Sequence, residues 1–413
     1  MSTDLRVVIA NGRFVLGRRL GGGAFGEVYT CMTIAEPVEE FAVKLEHSKS
    51  GSPAQLQHEA RVYMSLARGG VNVGIPKVRW VGTEGDFNVL VMELVGPSLS
   101  DLMEYCSGRF DSKTCMILAH QAISRLQYVH ACGYLHRDLK PDNLAMGLGK
   151  RSHHLYLIDF GLAKKYRDNN GHIPFRDGKS LTGTARYVSI ATHKGQQQSR
   201  RDDLESLAHV LIFIGKANLP WQSVQCRNKQ ERFDKIMAMK IATPPSVLCT
   251  RLPPAFAKLL TYSRALKFEE EPHYEQCRQF FEADMSEKGY EFDYGYMWVA
   301  DNCRDTLSHS RLSSVKEGSS ISGAPQAANS TRGGVSTTGG SLLGSHRSGF
   351  GGRIRPGGNR FGSPLARPAG RSPGRISPQA KALDVTDPME ILASASFEGA
   401  SPGSGDGSVE SPQ

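Results

Sequence analysis

Hydrophobic and polar positions follow two different periods along this chain. Before Gly96, short runs of β-branched and aromatic residues broken by glycine predict an antiparallel sheet. One helix interrupts these runs, because apolar residues near helical spacing occupy 54–68. The predicted strands are 13–16, 27–31, 41–45, 77–81 and 87–92.

Beyond Gly96 the apolar positions recur mainly at helical spacing. Asp111 can cap a helix that runs through Val129, and Gly133 lies just past its end. A small sheet lobe followed by a larger helical lobe leaves a cleft between them, so the predicted fold class is α+β. No internal repeat is evident. Further helices are predicted around 202–215, 228–239, 254–262 and 274–283.

Composition changes near residue 300 of the 413. All three tryptophans precede that point, whereas Ser, Gly, Pro and Arg dominate from Asp305 onward. The tail has too few large apolar side chains to offset its ordering entropy, which predicts disorder. We therefore expect an N-terminal segment (1–13), a folded domain (14–300) with lobes at about 14–95 and 96–300, and a disordered tail (301–413).

The net charge of +9 is unevenly placed in the tail. Between Arg347 and Lys381 there are eight basic residues and no acidic one, and between Asp384 and Glu410 six acidic and no basic. A Gly-Arg segment can bind RNA or a membrane surface, but few aromatics accompany it, so a solubilising or regulatory linker is favoured. Candidate proline-directed phosphorylation sites are Ser363, Ser372, Ser377, Ser401 and Ser411.

Cysteine usage and the ends of the sequence suggest a compartment. The eight cysteines lack a Cys-x-x-Cys pair, which is typical of reduced thiols in an intracellular protein. The sequence contains no apolar signal region, lipidation motif or bilayer-length apolar run. We expect a soluble monomer in the cytoplasm, the nucleus or both, without a membrane anchor.

The most informative chemical pattern is the block from His136 to Asn143, followed by Asp159-Phe160-Gly161. Asp138 can orient a substrate hydroxyl, while Asn143 and Asp159 can supply hard oxygen ligands to Mg²⁺. These residue types at this spacing point to metal-assisted phosphoryl transfer. Lys140 can steady the transferred phosphate beside a Ser or Thr hydroxyl, which favours Ser/Thr acceptors over tyrosine.

An upstream glycine-rich loop predicts a phosphate site. It fits the pattern Gly-x-Gly-x-x-Gly-x-Val and lies between two β-like runs, which favours a hairpin over phosphates. By itself the pattern is weak, since glycine runs are commonly turns. The loop consists of Gly21, Gly22, Gly23, Ala24, Phe25, Gly26, Glu27 and Val28, with Leu20 before it.

Lys44 follows in a strand-like run that would direct its ammonium into the cleft. Glu59, on the next predicted helix, can pair with it. Alternatively both are solvated surface charges, which is the commoner situation for isolated lysines. Their order, after the glycine loop and before Asp138, favours the catalytic interpretation.

Together these motifs form the protein-kinase signature set in the expected order. Five further segments closely resemble the casein kinase 1 family, within a match from about Phe14 to Trp298. This resemblance implies a bilobal kinase fold that binds ATP with Mg²⁺ and phosphorylates Ser or Thr near acidic or already phosphorylated positions of protein substrates. The segments are 92–99, 157–166, 181–187, 199–206 and 219–222.

The resemblance also implies roles for individual residues. Met92 would be the gatekeeper, backbone groups of Glu93 and Val95 would contact adenine, and Asp101 would lie near the ribose. Asp203 would be the buried carboxylate that braces residues 136–143, which we call the catalytic loop.

A basic pocket for a phosphate or acidic side chain on the substrate is implied as well. It would contain Arg186, Lys229 and Arg232, although they can also be solvated surface charges. Ala191 and Ala208 depart from the family pattern; the effect of the first on packing of the substrate loop stays open, and the second we interpret as a packing change only.

Two other functional classes remain open. A catalytically inactive scaffold would show a degenerate Lys44, Asp138, Asn143 or Asp159, and none of them is degenerate. An RNA-binding protein with an incidental kinase-like domain rests only on the Gly-Arg tail. We therefore expect an ATP-dependent enzyme with protein substrates rather than nucleic acid.

Overall fold

A computed structural model describes residues 7–23, 26–48, 55–70 and 74–299. Ala24 and Phe25 of the glycine loop lie outside the described residues. The same holds for the whole predicted tail, so its disorder, its role as a solubilising or regulatory linker and its Ser-Pro sites stay predictions.

A six-stranded antiparallel sheet forms the N-terminal region, in the order β1-β2-β3-β4-β6-β5. Helix α1 packs against β4, β5 and β6. This arrangement confirms the predicted antiparallel sheet and the single helix between its strands, and it adds β1, which was not predicted. The elements are β1 (Val8–Ile9), β2 (Phe14–Gly23), β3 (Gly26–Thr33), β4 (Glu40–His47), α1 (Gln55–Ala67), β5 (Val78–Glu84) and β6 (Phe87–Glu93).

Strand β6 connects two hydrophobic cores because successive side chains point to opposite faces of a sheet. Val89 and Val91 belong to a small core on one face. Leu90 and Met92 belong to the large core that continues through α1 into the helical region. The sheet is thereby packed onto the part of the chain that follows it.

The C-terminal region is mainly helical, which confirms the α+β prediction. Asp111 caps α3 as expected, since its carboxylate accepts from Thr114 N at 2.7 Å. The helices are α2 (Leu99–Tyr105), α3 (Ser112–Ala131), α4 (Ile190–His193), α5 (Arg200–Lys216), α6 (Lys229–Ala242), α7 (Pro245–Leu248), α8 (Pro254–Ala265) and α9 (Tyr274–Glu287).

Short strands between α3 and α4 carry the loops of the cleft. They form the antiparallel pairs β7 with β10, β8 with β9 and β11 with β12. These strands, and helices α2, α4 and α7, have too few residues for a detectable hydrophobic period, so the sequence pattern did not predict them. The strands are β7 (Tyr134–Leu135), β8 (Leu144–Met146), β9 (Leu155–Leu157), β10 (Lys164–Lys165), β11 (Arg167–Asp168) and β12 (Gly171–His172).

The seven cysteines within the described ranges are free thiols. No helix in those ranges is both long and apolar enough to cross a bilayer.

Candidate active site

A cleft of about 410 Å³ lies between the sheet and the helical region. The β2–β3 hairpin and β4 line one side, and β8 with the residues after β9 line the other. Eleven of the predicted site residues line it, namely Leu20, Gly21, Gly22, Val28, Lys44, Met92, Glu93, Val95, Asp101, Asn143 and Asp159.

The β2–β3 hairpin lies close to β4 because of Gly26. Its φ of +135° is rare for other residues, and a Cβ there would collide with the carbonyl of Leu45. Gly23 pairs with Gly26 at the end of the hairpin. The carboxylate of Glu27 accepts from Arg19 at 2.9 Å and from the Tyr29 hydroxyl at 2.5 Å.

Lys44 is held by two carboxylates at the inner end of the cleft. Its Nζ lies 2.7 Å and 3.0 Å from the two oxygens of Glu59 and 3.5 Å from Asp159 Oδ1. Burial alone would lower the pKa of Lys44, but these carboxylates outweigh it and raise the pKa. Burial raises the pKa of Glu59. The predicted Lys44–Glu59 pair is therefore present, and Asp159 joins it.

Asp138, in the loop after β7, accepts hydrogen bonds from two side chains. Lys140 Nζ donates to Oδ2 at 2.8 Å, and Thr184 Oγ1 donates to Oδ1 at 2.7 Å. Burial opposes the charge of Lys140, yet Asp138 raises its pKa. Gly183, with φ +99°, lies so close to Arg137 O that a Cβ on residue 183 would collide with that oxygen. The carboxylate is therefore fixed in orientation before any substrate binds.

Asn143 and Asp159 present oxygen atoms to the same cleft. Asn143 Nδ2 donates to Asp138 O at 2.9 Å, which leaves Oδ1 of the amide available as a ligand. Asp159 N donates to the Tyr63 hydroxyl at 3.1 Å. Burial would raise the pKa of Asp159, but Lys44 and other nearby cations lower it. One amide and one ionised carboxylate fit Mg²⁺ shared with phosphate oxygens.

Phe160, next to Asp159, connects α1 with the catalytic loop. Its fully buried ring lies 5.0 Å from the Tyr63 ring and 5.0 Å from the His136 ring. Asp159 has a φ of +65°, which is uncommon outside glycine. The packing of Phe160 stabilises this backbone conformation.

Asp203, on α5, fixes the catalytic loop through three hydrogen bonds. Its carboxylate accepts from His136 N and Arg137 N, both at 2.8 Å, and from His130 Nε2 at 2.9 Å. Burial would raise the pKa of Asp203, but these donors outweigh it and lower the pKa. Arg137 has a φ of +69°, so the brace holds a strained turn directly before Asp138.

Two residues of the expected basic pocket, Lys229 and Arg232, lie on α6, whereas Arg186 lies in the segment before α4. The guanidinium of Arg186 packs over the rings of Tyr187 at 5.7 Å and Phe213 at 5.5 Å. Lys229 and Arg232 are exposed on the first turns of α6. The geometry places all three on the helical region, and their binding of a phosphate stays a prediction.

Both departures from the family pattern lie in helices. Ala208 is buried in α5. Ala191 is half-buried in α4, and its carbonyl accepts from Gln196 N at 3.1 Å.

Sequence reasoning missed Thr184 and Tyr63 as contributors to the site. Thr184 belongs to 181–187, one of the segments that resemble the casein kinase 1 family, but nothing in its spacing indicated contact with Asp138. Tyr63 counted only as an apolar helix position. Both contacts join residues 46 or more positions apart, so only the folded chain reveals them.

A family model described as "protein kinase domain" matches residues 14–282. The match includes the hairpin, Lys44, the catalytic loop, Asp159 and most of the helical region. Members of this family are phosphotransferases that use ATP, usually with Mg²⁺. The order of the motifs and their convergence in one cleft agree with that match, and the chain therefore belongs to the protein kinase family.

Proposed function

We propose that this chain is a casein kinase 1-like Ser/Thr kinase that transfers the γ-phosphate of ATP to protein substrates with acidic or phosphorylated neighbouring residues. The observation that carries the proposal is the contact of Lys140 with Asp138 at 2.8 Å. A lysine at this position lies beside the acceptor hydroxyl and can neutralise charge on the transferred phosphate.

Asp138 would accept the hydrogen bond of the acceptor hydroxyl. Thr184 and Lys140 orient its two oxygens, so the carboxylate need not reorganise when substrate binds. Asp138 is only 7% exposed, so few water molecules can reach its carboxylate and compete with the acceptor hydroxyl.

The cleft would hold the nucleotide along its length. Leu20, Val28 and Ala42 give it an apolar wall suited to adenine, and Asp101 lies at its mouth near Ser98. Lys44 would contact the α- and β-phosphates. Bound Mg²⁺ would neutralise phosphate charge, and Asn143 and Asp159 are the residues that would hold it.

Phosphate transfer to casein and to a phospho-primed peptide tests the activity. Wild-type protein with MgATP should label serine and threonine, while Asp138→Asn should lose about 100-fold or more in kcat. Asp293→Asn is the matched control, because this exposed carboxylate does not line the cleft and accepts from Lys113 Nζ at 2.7 Å and from Gly295 N at 2.9 Å. Labelling of tyrosine, or absence of transfer by wild type, would refute the proposal.

The substrate preference needs a separate comparison. Arg186→Ala should raise KM for the primed peptide about tenfold and leave KM for an unprimed peptide nearly unchanged, since the guanidinium would bind the priming phosphate. Arg79→Ala, which removes a surface arginine paired with Glu39 at 2.8 Å, serves as control. An equal loss on both peptides would exclude the pocket.

A further inference from the structure

Lys240, on the last turn of α6, is a fully buried lysine that binds the backbone around Arg186. Its side chain is 0% exposed. Nζ donates to Ala185 O at 3.0 Å and to Val188 O at 2.5 Å. One ammonium therefore joins the two ends of a four-residue stretch in which Arg186 is the second residue.

The two carbonyls between these ends also accept from buried side chains. Trp221 Nε1 donates to Arg186 O at 2.8 Å. His209 Nδ1 lies 2.8 Å from Tyr187 O, and because a carbonyl only accepts, Nδ1 carries the proton. The four consecutive carbonyls of 185–188 are thus all bound by side chains from elsewhere in the fold. We call this arrangement the carbonyl clamp.

The surroundings of Lys240 combine charges of both signs. Glu205 on α5 faces it and pairs with Arg264 of α8 at 3.0 Å, while His193 of α4 places Nε2 at 3.3 Å from Nζ. His209 of α5 also faces it. Burial lowers the pKa of Lys240, and the carboxylate of Glu205 opposes that shift.

A buried lysine at this place is costly in itself. Lysine is rarely fully buried, and an apolar side chain of similar length would often give an equally stable or more stable core. Methionine would fill the same space without a charge. The ammonium is therefore better explained by what it binds, the backbone of 185–188, than by the stability of the core.

Helix α6 relates the clamp to the exposed cations. Lys229 and Arg232 lie at its beginning and Lys240 near its end, 8 to 11 residues later. At a rise of about 1.5 Å per residue, this separation is about 12 to 17 Å along one rigid helix. Because Lys240 joins that helix to 185–188, the position of Arg186 relative to Lys229 and Arg232 depends on it.

We propose that Lys240 is a positioning residue for the acceptor substrate, which fixes the backbone of 185–188 and thereby the direction in which Arg186 meets an anionic group. This inference rests on the proposed function, in that Arg186 contacts the substrate. Thr184 retains its own contact with Asp138, so the effect falls on substrate binding more than on the chemical step.

Lys240→Met in the full chain is the direct test. The KM for a phospho-primed peptide should rise about tenfold or more, while the KM for ATP and kcat change less than about threefold. Amide hydrogen exchange over 184–190 should become faster. Lys235→Met is the matched control, because this exposed lysine of the same helix pairs with Glu231 at 2.9 Å and interacts with Cys226.

Unchanged peptide KM together with unchanged exchange over 184–190 would overturn the proposal. So would a lower melting temperature with normal kinetics in the folded protein, since that pattern marks a purely structural residue. If Lys240→Met does not fold, Trp221→Phe removes the donor to Arg186 O together with part of the buried ring that Lys240 Nζ faces at 5.3 Å. A peptide KM within about twofold of wild type would then overturn the role of the carbonyl clamp in substrate binding.

Failure of the proposed function gives a different result. A wild-type enzyme that treats primed and unprimed peptides alike would exclude the phosphate pocket. The exchange measurement on Lys240→Met does not depend on catalysis, so it would still decide whether the lysine holds the backbone of 185–188.

Discussion

Replacing Asp203 with asparagine should weaken the catalytic loop in a defined way. The asparagine carbonyl can take the place of only one carboxylate oxygen. Placed at Oδ2, it accepts from His136 N and His130 Nε2 but leaves Arg137 N unpaired. If the carbonyl instead occupies the Oδ1 position, it accepts from Arg137 N and leaves His136 N unpaired. His130 Nε2 could then accept from the asparagine NH₂, provided that Nδ1 carries the ring proton and donates to the Tyr274 hydroxyl, but His136 N would still lack an acceptor. Either orientation therefore leaves one buried backbone N–H without an acceptor.

The magnitude follows from these contacts. A hydrogen bond to a charged acceptor contributes about 1.5–3 kcal/mol, and an unpaired buried donor costs about 1–3 kcal/mol. These two energies describe partly the same lost interaction and are therefore not added. We expect a loss of about 3 kcal/mol in the free energy of unfolding, or about 6 °C in melting temperature for a domain of this size. Release of the strained Arg137 backbone shifts Asp138, and a displacement of about 1 Å lowers kcat about 100-fold.

Thermal unfolding and phosphate transfer at saturating ATP measure both effects. Asp293→Asn, which removes an exposed carboxylate, should cost less than about 1 kcal/mol and leave kcat unchanged. If Asp203→Asn keeps kcat within about threefold and its melting temperature within about 1 °C of wild type, the brace contributes nothing, and this reasoning is wrong.

Two further predictions concern single contacts. Thr184→Val removes the donor to Asp138 Oδ1 and should lower kcat about 10- to 100-fold with an unchanged KM for ATP, while Thr184→Ser, which keeps the hydroxyl, should recover most of the activity; equal losses in both would contradict this role. Burial raises the pKa of Asp202 from 3.8, its value in the unfolded chain, to about 6 in the folded protein. Ionisation of Asp202 therefore costs the folded protein no stability below about pH 4, and the cost is complete above about pH 6. The free energy of unfolding of wild type, measured relative to Asp202→Asn, should therefore fall by about 3 kcal/mol between these pH values, and a pH-independent difference would refute the shift.

Local sequence patterns predicted the elements that carry enough residues to show a period. Five of the six strands of the sheet and helix α1 agree with expectation to within a few residues, except that β2 extends to Gly23, and the two-residue β1 was not predicted. Short elements such as α4 and β10 escaped prediction because they exist only through contacts with distant segments. Their few residues carry no repeating pattern of their own.

The sequence by itself determined the order of the chemical groups: the glycine hairpin, Lys44, Asp138, Asn143 and Asp159. These motifs are recognisable because their spacing is local, within loops and strands of fixed geometry. Their order was sufficient to predict a nucleotide cleft and the class of reaction.

Only the tertiary structure decided which groups support that chemistry. Thr184 meets Asp138 across 46 positions, and Lys240 meets Ala185 across 55. Such partners have no fixed sequence separation, and a buried lysine has the same letter as a solvated one. Which face of a helix is buried, and which backbone groups are left for it to bind, depends on the packing of the whole domain.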